Sequence, residues 1–262
     1  YTIPAYTQEQ VGPIRWNPFQ NNHNTFLKTA RTTAALLTLP FFEDFTGYSA
    51  SPDSNKWADC QVYINNTMAA SPISRGVATF DDLNAHGIPY DSFSNTARYY
   101  ADTLTSQPID LSSDTASDSV YLSFFYQPQG LGDIPESGDS LIVEFRDTSG
   151  DWQHQWSVPG RSDTAFVRVN LRVSGPGFLY NAFQFRFKNY ATVNGNRDHW
   201  NIDYVIVRSN TFANDSIRDN GFARPRYSLL NEFESMPYTH YKALSAPLSI
   251  MDTIIRDSLR NI

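Results

Sequence analysis

The run Asp198-His199-Trp200-Asn201-Ile202-Asp203-Tyr204-Val205 places an amide and a carboxylate inside a stretch that otherwise reads as a buried strand. By period-two alternation Asn201 and Asp203 share one face, followed by Val205 and Val207. Trp200, Ile202, Tyr204 and Ile206 share the other. Oxygens in such a place must be matched. A hard cation held by oxygen ligands would do it, and so would donors in a hydrogen-bonded turn; the residues alone leave both open. A second set of acids, Glu136, Asp139, Glu144 and Asp147, lies on neighbouring segments. A glycosidase needs two acids flanking a cleft, roughly 5–10 Å apart. Glu144 alternates outward beside Arg146, the ordinary pattern of a solvated strand face, so the hydrolase reading is set aside. Trp152 and Trp156 fall on one face of a strand by the same alternation. Facing solvent, they would stack on sugar rings as a ligand-binding platform; facing inward with Val158, they would be core.

Other catalytic chemistry lacks its parts. Cys60 is the single cysteine and has no nucleophile signature around it, so it reads as a small buried residue without a disulfide partner. Ser137-Gly138 and Ser149-Gly150 are turn elements, and no Gly-x-Ser-x-Gly elbow occurs. His23, His86, His154, His199 and His240 show no paired metal-ligand spacing. A net charge of -7 leaves no basic stripe for a phosphate backbone, which argues against a nucleic-acid partner. The most apolar stretch, Ala34 to Phe42, is interrupted by Thr38 and Pro40, too short for a membrane span.

The elements that must carry these residues are strands. Val120, Leu122, Phe124 and Tyr126 alternate, as do Leu141, Val143 and Phe145, then Val167, Val169, Leu171 and Val173, then Phe183, Phe185 and Phe187. Gly-rich turns punctuate them: Glu136-Ser137-Gly138-Asp139, Thr148-Ser149-Gly150-Asp151, Ser174-Gly175-Pro176-Gly177 and Asn194-Gly195-Asn196. This pattern predicts an all-β, two-sheet antiparallel jelly-roll sandwich over residues 26–209. Phe26 to Leu39 is read as its opening strand. Ser51 to Tyr90 is read as a loop-rich insert with short strands over 61–64 and 76–80. An insert of that length is expected to be functional or tied down. Residues 1–25, rich in Pro, Asn and Gln, read as an extended arm, and 210–262 as an irregular C-terminal tail or the start of a further module. A first residue that is neither Met nor part of a signal peptide is expected of a processed or excised chain.

Three segments, in this order, carry a resemblance: Phe41-Phe42-Glu43-Asp44-Phe45, Leu104-Thr105-Ser106-Gln107-Pro108-Ile109-Asp110-Leu111-Ser112, and Asp198 to Val205. Together they resemble the cleaved-adhesin and MAM-like jelly-roll modules of the concanavalin-like sandwich group. Such modules are common in surface and secreted proteins that Bacteroidetes export across the outer membrane by type IX secretion. The resemblance covers roughly residues 39–209. It implies structural calcium where the first and last strands meet, with Glu43 or Asp44 and Asp203 as principal ligands and Asn201, Asp198 and Asp110 as further ones. Tyr204 stands where such modules often carry a second acid. The function implied is a non-catalytic extracellular adhesion or assembly module that binds a protein partner at the cell surface, as part of a larger secreted protein. The alternative is a carbohydrate-binding module with a glycan partner.

Overall fold

The computed structural model describes residues 16–21, 36–47, 49–94, 96–163, 165–175, 177–217, 220–222, 228–233, 235–254 and 259–261. Most of the expected arm, and residues 26–35 of the expected opening strand, lie outside them. The described elements are α1 (Pro18–Asn21), β1 (Phe41–Glu43), β2 (Tyr63–Asn65), β3 (Val77–Phe80), β4 (Arg98–Thr105), β5 (Val120–Pro128), β6 (Ser140–Arg146), β7 (Trp152–Pro159), β8 (Val167–Val173), β9 (Gln184–Thr192), β10 (Trp200–Arg208), β11 (Asn220–Phe222), α2 (Tyr238–Lys242) and β12 (Leu259–Asn261).

The expected two-sheet sandwich is what forms. One sheet has six strands in the order β2-β3-β10-β5-β8, with β1 paired to the second half of β10; the other has four, β4-β9-β6-β7. All these pairings are antiparallel. The inner faces meet in one aromatic-rich core that includes Trp57, Phe80, Phe124, Phe145, Phe183, Phe185, Phe187 and Trp200, all fully buried. Edge-to-face contacts lock it, with Phe124 and Phe187 4.9 Å apart and Phe145 and Phe183 5.3 Å apart. Truncating one such ring to alanine costs about 3–5 kcal/mol. In the tail, β11 and β12 form a two-stranded pair apart from both sheets.

Period-two alternation breaks at three bulges, and those in β10 and β7 move side chains that alternation places elsewhere. In β10 the register to β5 shifts between Asp203 and Ile206, and Tyr204 takes a positive φ of 54°. Trp200 and Ile202 therefore share the main core with Val205 and Val207, while Tyr204 and Ile206 join Ile73 and Ile217 in a second cluster. In β7 the register to β6 shifts between Val143 and Glu144, leaving Gln155 as the extra residue. In β4 the register to β9 shifts between Tyr100 and Thr103. That third bulge buries Asp102 and hides the strand from an alternation search, so β4 has no counterpart in the sequence reading.

The loop-rich insert is tied down. Within it, Gly76 lies so close to β1's exit that a Cβ there would sit 1.8 Å from the Phe45 carbonyl oxygen, and only glycine fits.

Candidate functional site

Three polar regions are built on this frame. The first is the junction of β1 and β10, where the principal ligands were expected. Glu43 is buried, and both of its oxygens have protein partners. Oε1 accepts from the Phe45 amide at 3.0 Å. Oε2 accepts from Trp57 Nε1 at 3.3 Å and pairs with Lys56 Nζ at 3.4 Å. Asp203 is fully buried. Its Oδ2 accepts from the Ser74 amide at 2.7 Å, and its Oδ1 lies 2.7 Å from Ser74 Oγ. The same Ser74 hydroxyl lies 2.7 Å from the Asp44 carbonyl oxygen. One hydroxyl hydrogen cannot serve both acceptors. A proton on Asp203 resolves the conflict, because the carboxyl then donates to Ser74 Oγ and the serine donates to Asp44. Burial, reinforced by the charge of Asp44, pushes the Asp203 carboxyl up to about 7, which agrees with that arrangement.

The other expected ligands are similarly engaged. Asp44 Oδ1 accepts from the amide and hydroxyl of Thr46, an Asx turn. Asp110 Oδ1 accepts from the amide and hydroxyl of Ser112 in a separate turn, and these bonds hold its carboxyl below the usual range. Asn201 sits in a polar ladder across four strands. Asn65 Nδ2 donates to Thr79 Oγ1, Thr79 Oγ1 donates to Asn201 Oδ1, and Asn201 Nδ2 donates to Gln127 Oε1. Gln127 in turn clasps the backbone of Ala70 through both its amide atoms. Asn201 and Asp203 thus pin the insert to the sheet. The oxygens of Glu43 and Asp203 that a cation at this junction would need are engaged with protein groups.

The second region gathers the one remaining expected ligand, Asp198, with acids from another segment. One oxygen each of Glu136, Asp139 and Asp198 lie within 4.8 Å of one another at the end of the sandwich where β6 and β10 begin. In the sequence Glu136 and Asp139 read as turn residues and as candidate hydrolase acids. His199, next to Asp198, is buried with a ring bound at both nitrogens: Nδ1 accepts from the Asp133 amide and Nε2 faces Asn196 Oδ1. Burial lowers its pKa to about 4, so it is neutral.

The third region is the outer face of the four-stranded sheet. The β7 bulge at Gln155 separates the two tryptophans that alternation had put together. Trp156 pairs with Val143 and turns inward, edge-to-face with Phe124 at 5.5 Å and with Tyr126 at 5.1 Å. This corrects its reading as a ligand-binding residue: the extra residue reverses the phase of the strand, and the ring belongs to the core edge. Trp152 pairs with Arg146 on the outer face, and the Arg186 guanidinium lies 4.2 Å from its ring centroid. At the opposite corner Tyr100 is 61% exposed, with Tyr190 at 5.5 Å and Lys188 Nζ 4.0 Å above its ring. Between the aromatic corners Glu144 bridges Arg186 at 2.6 Å and Lys188 at 2.7 Å. Burial works against the Glu144 carboxylate, but hydrogen bonds from Lys188 and Arg186 prevail and hold it below its usual range. Alternation does not reveal Tyr100, because β4 is interrupted by its bulge, and the cross-strand contacts of Tyr190, Arg186 and Lys188 have no local signature in the chain.

Two cavities near the insert are lined by Phe45, Tyr63, Asn65 and Arg75 in one case and by Trp16, Ile88, Pro89 and Asn194 in the other, and neither is lined by a carboxylate.

No protein-family profile and no curated protein matches this chain. Among solved structures, it is similar to the CBM22-1 xylan-binding domain from Paenibacillus barcinonensis, at 12% identity and a TM-score of 0.39, over 69% of this chain and 100% of that one. It is similar to a cleaved adhesin domain of Lys-gingipain from Porphyromonas gingivalis, at 11% identity and a TM-score of 0.40, over 66% of this chain and 99% of that one. It is also similar to an arabinose-bound GH51 α-L-arabinofuranosidase, at 14% identity and a TM-score of 0.42, over 70% of this chain and 28% of that one. Likenesses this loose carry no functional argument.

Proposed function

We propose that the chain is a non-catalytic binding module and that the outer face of its four-stranded sheet is a glycan platform. One observation carries this reading: Trp152 and the Tyr100–Tyr190 pair stand at opposite corners of one face, with the Arg186–Glu144–Lys188 cluster between them. Flat aromatic faces cover the apolar C–H patches of sugar rings, while fixed charged groups beside them bond hydroxyls. From strand spacing and rise, the corners are on the order of 25 Å apart, which suits an oligosaccharide rather than a single ring. Because the ion pairs hold Arg186 and Lys188 against the rings, little side-chain freedom is lost on binding.

Affinity electrophoresis in gels containing soluble plant and bacterial polysaccharides tests the proposal. The parent is retarded by at least one of them, and Trp152→Ala and Tyr100→Ala each weaken retardation by about 1 kcal/mol or more. A parent that migrates freely in every gel would end the glycan reading, as would a Trp152→Ala variant retarded like the parent.

A protein partner is the second reading, favoured by a further exposed apolar group. Phe93 is 99% exposed, Trp16 67% and Ile88 46%, and Trp16 and Ile88 line a common cavity. Phe93→Ser that abolishes cell-surface adhesion while leaving polysaccharide retardation intact would favour adhesion through that group. The extracellular setting and export across the outer membrane belong to the same proposal and rest on the resemblance. Among the described residues no helix is long and apolar enough to cross a membrane.

A further inference from the structure

We infer that a divalent hard cation of calcium's size binds at the end of the sandwich through Glu136, Asp139 and Asp198, away from the β1–β10 junction to which the resemblance points. This goes beyond the binding-module reading and does not depend on it.

The argument begins with oxygens that lack partners. Asp198 is fully buried; its Oδ2 accepts from the Thr192 amide at 2.9 Å, and its Oδ1 has no hydrogen-bond partner. Asp139 is 1% exposed; its Oδ2 accepts from the Glu136 amide at 2.7 Å, and its Oδ1 has none either, with only Arg98 Nε nearby at 3.7 Å. A buried carboxylate oxygen left unmatched is costly, and two of them in one group call for a cation or protons. Asp82 Oδ2 is a further buried carboxylate oxygen without a hydrogen-bond partner.

The spacing suits a cation. One oxygen of each of the three acids lies within 4.8 Å of the other two. An ion bound at about 2.4 Å from each ligand needs ligand oxygens no more than about twice that distance apart. The charge count suits a divalent ion. Arg98 is the group's ion-pair partner, at 3.3 Å from Glu136 Oε2 and 3.7 Å from Asp139 Oδ1. Three carboxylates facing one guanidinium leave two negative charges. All ligands are oxygens, and the neighbouring imidazole of His199 is engaged with Asp133 and Asn196, which favours calcium over zinc. Access is available through Glu136, whose side chain is 55% exposed.

Isothermal titration of the chelator-stripped chain with calcium chloride, paired with thermal unfolding in calcium and in EDTA, tests the inference. The parent shows a saturable calcium heat and a higher unfolding midpoint with calcium. Asp198→Asn and the exposed-site variant Glu136→Gln each weaken calcium binding by roughly tenfold or more. Asp203→Asn binds as the parent does. Should Asp198→Asn fail to fold, Glu136→Gln alone decides, because its side chain reaches solvent. A parent with no calcium heat and no midpoint shift overturns the inference and leaves shared protons as the solution of the group. Loss of binding in Asp203→Asn with retention in Glu136→Gln overturns it in favour of the strand junction.

Discussion

Two sets of buried carboxylates occupy this molecule, and they are solved in opposite ways. Glu43 and Asp203 lie along β1 and β10, where the insert folds back and brings partners: the amides of Phe45 and Ser74, the Trp57 indole and the Lys56 ammonium as donors, and the Ser74 hydroxyl as acceptor of the Asp203 proton. Asp139 and Asp198 lie just before β6 and β10, where each accepts from one backbone amide through Oδ2 while its Oδ1 has no hydrogen-bond partner, Arg98 Nε standing 3.7 Å from Asp139 Oδ1. The residue types are the same. What differs is how many N–H and O–H groups the surrounding chain turns toward them, and that number decides whether a buried acid is a tie holding two segments or an oxygen ready for a cation.

The comparison is broken most directly at Asp203. Asp203→Ala strips the Ser74 amide of its acceptor and the Ser74 hydroxyl oxygen of its donor in a fully buried place and is expected to cost about 3 kcal/mol. Asp203→Asn is expected to be nearly neutral, since its amide reproduces the protonated acid by accepting from the Ser74 amide and donating to Ser74 Oγ. Urea unfolding of the two variants settles this, and a costly Asp203→Asn would mean the native carboxyl is ionised. Next in size, Glu43→Gln turns an NH2 toward the Trp57 and Lys56 donors and is expected to cost about 1–2 kcal/mol by the same measurement.

The pH trend sharpens the picture at Asp203. Its carboxyl titrates at about 7 in the fold, against about 4 in an unfolded chain. Between these values the native state holds a proton that the unfolded state has lost. The stabilisation is fully present below pH ~4 and is lost as pH rises through about 7. The parent's urea midpoint should therefore fall between pH 5 and pH 8 by more than that of Asp203→Asn. Parallel pH profiles for the two proteins would contradict the protonated arrangement. The smallest effect is expected at Glu144, whose partners lie at the sheet surface. Glu144→Gln should cost about 1 kcal/mol or less in stability yet free Arg186 and Lys188 from the platform, so its larger signature would appear in polysaccharide retardation.

Much of the frame was legible in the chain. The alternating strands over β5, β6, β8 and β9 are regular, and the Gly-rich turns between them leave few other pairings. The short strands of the insert were placed to within a residue or two, at Tyr63–Asn65 and Val77–Phe80. β4 was not legible, because a bulge sets Asp102 in the interior where an apolar residue was sought. The site suffered more than the fold. Trp152 and Trp156 read as neighbours on one face, and Gln155 put them on opposite faces.

The sequence by itself determined the class of structure, because period-two burial and turn chemistry are local properties written in residues a few positions apart. It also marked Asn201, Asp203 and Asp198 as oxygens needing partners. Only the tertiary structure decided who those partners are. Ser74 reaches Asp203 across 129 positions, while Asp198 Oδ1 is left without a donor. Donor supply at a buried acid depends on which distant segment folds over it, and a one-residue bulge reverses which side chains that segment meets. Neither quantity has a local signature, so both were settled only when the two sheets closed.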